Sequence, residues 1–319
     1  MKWICRLKRA TPFCTIAAAA LNCTPGYASE YGFSVYGLGG AGPLAGIVPP
    51  PGTYFADTFI HGNFTADIVP ARGRIQASLK ATMNINAFTL QHVTDWKILG
   101  ADYGFRITVP LSSAKITAEV RSTQFGIGAS TSDSKTAIGD LNVTPIILGW
   151  HAGAWHWQTY VSFVAPTGFY DINRLIFTGL NRWAVDFGGG FTWLDPKIGF
   201  EVSVQVGYTV NFENPATDYL TGNEFHGEFF LGQHLPFGGG TVSIGLAGYA
   251  LQQVTGDSGS GARLGSFKGR TIALGPSLNF NSLNLGGPKV SIAVRYYHEF
   301  AIQRRLAGDV FMASLSFKF

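Results

Sequence analysis

Residues 197–212 read "KIGFEVSVQVGYTVNF", and the alternation in this stretch decides the fold class. Ile198, Phe200, Val202, Val204, Val206, Tyr208, Val210 and Phe212 fall on one parity. Gly199, Glu201, Ser203, Gln205, Gly207, Thr209 and Asn211 fall on the other. A period of two sends these sets to opposite faces of a strand. Soluble strands usually stop after about 5–6 residues, whereas a tilted strand that crosses hydrocarbon needs about 9–11. The length and the two faces together predict a membrane-crossing strand.

The pattern recurs in "LGADYGFRITVPL" (99–111), "RWAVDFGGGFTW" (182–193) and "KVSIAVRYYHEF" (289–300). About twelve such strands are expected, near 83–93, 97–110, 113–126, 140–151, 154–165, 183–195, 197–212, 224–235, 240–254, 269–281, 288–300 and 309–319. Tight turns are expected at "PLSSAK", "HAGA", "DPK", "LPFGGG" and "NLGGPK". Longer polar loops fall near 127–139, 166–182, 213–223 and 255–268, with a shorter one near 301–308. Short turns at one rim and long loops at the other describe a transmembrane antiparallel up-and-down β-barrel with periplasmic turns and external loops. Hydrocarbon offers no partner to an open sheet edge, so the strands must close into a ring.

Composition agrees. The chain carries 41 Gly, 25 Phe, 12 Tyr and 7 Trp with only 13% charged residues, yet no apolar run is long enough for a helical span. Residues 1–28 combine Lys2, Arg6, Lys8 and Arg9, a short apolar stretch and small residues ending at Ala28, the pattern of a signal peptide that is removed on export. The formal charge of +4 comes from 23 basic and 19 acidic residues, and those four cations account for all of it. A nucleic-acid partner therefore loses its electrostatic support. Cys5, Cys14 and Cys23 also lie in this leader, which excludes disulfides and thiolate metal sites from the mature chain. Residues 29–82 are Gly/Pro-rich and alternate poorly. They are expected either to fold into the lumen as a hatch or to form a disordered periplasmic tail, leaving 83–319 as the barrel.

Chemical motifs are weak. "GLGGAG" (37–42) has dinucleotide-loop spacing but is followed by prolines rather than a helix, and "GDSGSG" (256–261) is ordinary turn material in an external loop. The seven histidines lack metal-ligand spacing, and His151 and His156, among Trp150, Trp155 and Trp157, read as an interfacial belt. No catalytic residue, metal or cofactor is assigned. On the parity opposite the apolar face lie Asp102, Arg106, Glu119, Arg121, Asp186, Glu201, Glu228, Arg295, Glu299 and Lys318. Charges at that depth must be paired or wet, so these are the expected lumen-lining residues, either lining a water path or bracing the wall as ion pairs.

Several strings carry a resemblance: "APTGFYD" (165–171), "GLNRWAVDF" (179–187), "NFENPATDYLTGNEFHGEF" (211–229), "QQVTGDSGSGARLGSFKGRTIALGP" (252–276) and "HEFAIQRRLAGD" (298–309). Together they resemble the outer-membrane barrel family named for the meta-pathway of phenol degradation. The resemblance implies passage of small hydrophobic or aromatic compounds through the outer membrane of a Gram-negative cell, and carries over no catalytic residue. It points to the loops over the barrel mouth, where Asp171, Asn173, Arg174, Asn181, Arg182, Asn214, Asp218, Tyr219, Asp257 and Arg304 are candidates for ligand contact or gating. The chain ends "DVFMASLSFKF" (309–319), with Phe311, Leu315, Phe317 and Phe319 on one parity. Such an ending resembles the signal read by the barrel assembly machinery. The expected function is a passive porin-like transport channel surrounded by outer-membrane lipid. The alternatives are a closed structural or surface-binding barrel and, third, a lipid-acting barrel enzyme using His226 or His234.

Overall fold

The computed structural model describes residues 28–68, 75–122, 125–283 and 288–319. The proposed leader, apart from Ala28, and most of the "NLGGPK" turn lie outside them. The fifteen strands are β1 Gly52–Ile68, β2 Ile75–Ile98, β3 Ala101–Ser122, β4 Gly128–Ile138, β5 Leu141–Ala152, β6 Trp155–Ala165, β7 Ala184–Leu194, β8 Phe200–Asn211, β9 Glu213–Asn214, β10 Tyr219–Leu220, β11 Glu224–Phe237, β12 Gly240–Gln253, β13 Arg270–Leu283, β14 Val290–Gln303 and β15 Ala307–Lys318. Twelve of them form a closed antiparallel ring in the order β1-β2-β3-β5-β6-β7-β8-β11-β12-β13-β14-β15. The ring shuts where β1 pairs with β15 over an unbroken register from Tyr54↔Lys318 to Thr65↔Ala307. No sheet edge faces lipid at that seam, as closure in hydrocarbon demands.

The two parities face opposite media. Along β11, Phe225 is 45% exposed while its neighbour His226 is fully buried. Outward residues such as Phe187, Phe191, Val204, Leu246 and Leu315 build the lipid face, while Thr192, Glu201, Ser203, Thr209 and Ser243 turn inward and are buried. This is inside-out relative to a soluble barrel. Trp155 and Trp193 pack together near the short-turn rim, at the level expected of an interfacial belt. His151 and His156 do not belong to that belt. They form a cross-strand pair on the inner parity, with their Nδ1 atoms 2.8 Å apart.

The expected count of twelve holds, but the first strands differ from their expected positions. Residues 29–82 are not one unit: β1 and the start of β2 belong to the wall, and among the described residues of this segment only 29–51 lie free of it. Conversely, "PLSSAK" is not a turn. β3 runs straight through it as one 22-residue strand, so the expected strands at 83–93, 97–110 and 113–126 are really β2 and β3.

Pro110 tolerates this position because β3 changes partner there. Thr108 pairs with Asn142 of β5, Leu111 pairs with Ile138 of β4, and between them the Pro110 carbonyl accepts a 2.8 Å bond from Gly139. The missing N–H faces the same break as that carbonyl, where no ladder bond is lost. The expected loop at 127–139 is in fact β4, which runs down the edge of β3 and is continued, after Gly139-Asp140, by β5. At about 3.4 Å per residue, the 24-residue β2 is on the order of 80 Å long, far beyond a bilayer core. The β2–β3–β4 sheet therefore stands above the external rim.

Candidate functional site

Residues 28–51, ahead of β1, enter at the external mouth and pass down through the ring to the short-turn rim. At the top, the Ala28 N–H donates to the Arg304 carbonyl (2.9 Å) and the Ser29 N–H to Asp257 (3.2 Å). The Glu30 carboxylate accepts from Thr217 Oγ1 (2.6 Å) and Asn214 Nδ2 (2.9 Å) and lies 4.0 Å from the fully buried Arg182. Lower down, the Ser34 hydroxyl donates to Glu224 (2.5 Å). The Tyr36 ring stacks on His226 at a centroid distance of 3.5 Å, and its hydroxyl bridges Gln205 and Glu228.

Below this level the backbone makes the contacts. The Gly39 N–H donates to Glu228 (3.1 Å), and its carbonyl accepts from Arg295 (3.1 Å) and Tyr297 (3.3 Å). The Leu44 N–H meets Glu201, the Ala45 carbonyl accepts from Gln158, and the Gly46 N–H donates 2.8 Å to Thr192. At the bottom, Val48 packs with Val93, Ile147 and Tyr160, and Lys318 reaches the Pro51 carbonyl (2.7 Å). Glycine is required where the fit is closest. Gly39 has φ +83°, and a Cβ at Gly46 would lie 2.5 Å from the backbone of His156 and Thr192. Residues 29–51 thus form a strap through the lumen, and "GLGGAG" is its midpoint rather than a phosphate loop.

The wall presents a polar network to this strap. Asp186 accepts from Tyr160 (2.9 Å) and Thr209 (2.7 Å) and lies 2.8 Å from Nε2 of His226. Glu201 accepts from Ser203 and pairs with His234. Tyr249 donates 3.0 Å to Glu299. Of the residues expected to line the lumen, Asp186, Glu201, Glu228, Arg295 and Glu299 meet the strap or this network, and Arg106 is half-buried on the same inner parity. Asp102 and Lys318 occupy the short-turn rim, where Asp102 pairs with Lys97.

Glu119 and Arg121 are the correction. They pair with Ser130 and Gly128 of β4 and are exposed on the projecting sheet, on the same parity as the outward-facing Phe105 and Ile107. A turn at "PLSSAK" would have reset the parity between these groups, and no turn interrupts it.

The loop candidates are drawn together, but mostly by one another. Asn181 donates 2.7 Å to Asn214. Asp257 accepts from Ser29, Gly222 and Gln253. Tyr219 hydrogen-bonds Asp257, which with burial raises its pKa. Asp171 caps its own turn through Asn173. Asp218 meets Ser260, and Arg304 stacks on Phe267 at 4.4 Å. Arg174 binds Asp133 of β4 and holds that carboxyl down at about 2, clamping the projecting sheet to the 166–182 loop. Burial raises the Glu30 carboxyl above its usual range, against the lowering effect of Thr217, Asn214 and Arg182. Among the described residues, no group of three His, Cys, Asp or Glu could hold a metal ion. The sequence reading missed Glu30, Ser34, Tyr36, Tyr160, Glu224 and Gln253; all of them but Tyr160 have a hydrogen-bond partner over 150 residues away.

The family described as "Putative MetA-pathway of phenol degradation" matches residues 61–315. The chain belongs to this family. Its fold is that of a solved outer membrane channel from Pseudomonas putida F1, at TM-score 0.64 and 14% identity over 87% of this chain and 98% of that one. The beta domain of the Bordetella autotransporter BrkA is more distant, at TM-score 0.47 and 11% identity over 85% of this chain and 100% of that one. Among curated proteins, none matches the sequence. The chain has the fold of a transmembrane β-barrel and resembles an outer membrane channel.

Proposed function

We propose that this chain is a passive outer-membrane channel for small hydrophobic or aromatic compounds, closed at rest by its lumenal strap. One observation carries the reading: the wall is complete without the strap. β1 closes directly on β15, so residues 29–51 contribute no ladder bond to the ring and can leave it intact. Apart from the Tyr36 stack and the Val48 packing, what holds them is a set of hydrogen bonds to polar side chains, each of which water can replace at a net cost of about 1 kcal/mol. The similarity to a channel and the family's description support the same reading, the latter suggesting aromatic solutes.

The test is flux. Full-length protein and a variant lacking residues 33–48 are compared in planar bilayers and in vesicles loaded with phenol-sized solutes. The deletion is expected to raise conductance and aromatic flux well above the intact chain. Equal, empty-vesicle permeability for both would sink the channel reading and leave a closed structural barrel, which the strap's full-length contacts also suit. Catalysis is not part of the proposal. Among the described residues neither His226 nor His234 hydrogen-bonds a serine hydroxyl, and each bonds a carboxylate instead. The outward Leu315, Phe317 and Phe319 of the closing strand suit recognition by the assembly machinery.

A further inference from the structure

The outer surface is not uniform at the external rim. On β13 and β14 the apolar face ends with the outward pair Ile272↔Phe300. The next cross-strand pair upward is Arg270↔Gln303, followed immediately by Arg304 at the turn into β15. Arg270 donates through Nε to the Ala301 carbonyl (3.2 Å), and Arg304 lies over the Phe267 ring, next in sequence to Lys268. Lys268, Arg270 and Arg304 are all exposed, and among the described residues none has a carboxylate within ion-pair distance. The acid on this outer face, Asp309, is engaged by His298 (2.7 Å) and the Tyr296 hydroxyl (2.8 Å).

At the opposite rim, Lys97 is paired with Asp102 and Lys318 is bonded to Pro51, while the exposed Lys197 and Lys289 stand singly in separate turns and form no cluster. Three unpaired cations directly above an aromatic hydrocarbon edge stand at headgroup height, where basic side chains bind anionic lipid. The guanidinium groups suit phosphate through bidentate bonds.

We propose that Lys268, Arg270 and Arg304 form a binding site for the phosphate groups of an outer-leaflet glycolipid. The site lies on the outer wall and is independent of the lumen and of the channel reading. At about 1 kcal/mol per cation near a membrane surface, each cation contributes about five-fold in affinity.

The experiment uses full-length protein in micelles and native mass spectrometry. The probes are a bis-phosphorylated glycolipid, the same glycolipid without phosphates, and inorganic phosphate. The variant is Lys268→Gln/Arg270→Gln/Arg304→Asn, with asparagine at 304 because that residue has φ +53°. Affinity for the phosphorylated lipid is expected to fall about a hundred-fold, with Lys197→Gln at the other rim unchanged. Equal binding of the phosphate-free lipid, full retention by the triple variant, or displacement by millimolar inorganic phosphate would each overturn the proposal. Should the triple variant lose the heat-modifiable mobility of a folded barrel, Lys268→Gln alone decides: a drop of about five-fold supports the site and no drop overturns it.

Discussion

The strap has two halves that are held by different means. From Ser29 to Tyr36 it uses its own side chains: the Glu30 carboxylate, the Ser34 hydroxyl and the Tyr36 ring each meet a specific partner on the wall. From Gly39 to Pro51 the wall's side chains read its backbone, through the Gly39, Leu44 and Gly46 N–H groups and the Gly39, Ala45 and Pro51 carbonyls. The upper half is therefore specified by residue identity, the lower half by shape. A substitution that only removes atoms should matter above and, except at the buried Val48, be nearly silent below. One that adds atoms should do the reverse.

The largest effect is expected below, from Gly46→Val. The collision is with backbone of β6 and β7, which cannot move without breaking the ladder, so overpacking should cost about 3 kcal/mol of docking. All three cysteines lie within the first 28 residues, so single probes can be introduced downstream. Labelling of Ala45→Cys by a bulky thiol reagent should accelerate in the Gly46→Val background, while Val35→Cys in the upper half changes little. Equal acceleration at both probes would mean that the halves release as one unit.

Tyr36→Ala comes next and reverses the pattern. It removes the stack on His226 and leaves Glu228 and Gln205 short of a partner, at a cost of about 2 kcal/mol. Val35→Cys should now label faster and Ala45→Cys should not. If neither rate moves, the stack is incidental and the upper half is also held by shape.

The same contrast explains what the sequence revealed. β8, β11 and β15 were legible because one parity meets lipid and the other meets the strap, so Val202, Val204 and Val206 alternate cleanly with Ser203 and Gln205. β1 was not legible. Its outward parity carries Asp57, His61 and Asn63 beside Phe55 and Phe59, with Asp57 satisfied by Asn86 and His61 by Asn84 across the strand pair. Its inward parity carries Ile60 and Phe64, which pack on the apolar cluster around Tyr297 and Met312. Both faces are mixed, and no period of two survives. β4, "GASTSDSKTAI", stands above the hydrocarbon and needs no apolar face at all. Parity identified most of the inner charges but could not show the strap, because its partners are joined by topology and not by spacing.

The smallest effect is expected at the very top, where charge enters. Glu30 faces Arg182 from the segment before β7, Asp257 from the β12–β13 loop, and the neutral Asn214 and Thr217. Burial raises its pKa in the docked strap above the ordinary 4.5, so the docked form takes up a proton more readily than the released form. The sign follows. Docking strengthens as pH falls through the docked-state pKa toward 4.5 and gains nothing further below it, so mild acid tightens the upper latch. Labelling of Val35→Cys should slow over that interval, after correction for the reagent's own pH dependence, while Ala45→Cys does not follow. Glu30→Gln keeps the shape, should shift docking by less than about 1 kcal/mol because Glu224 and Asp257 remain near Arg182, and should abolish the pH response. If the response persists in Glu30→Gln, another carboxylate of the mouth governs it, and the identity of Glu30 is not what holds the upper half.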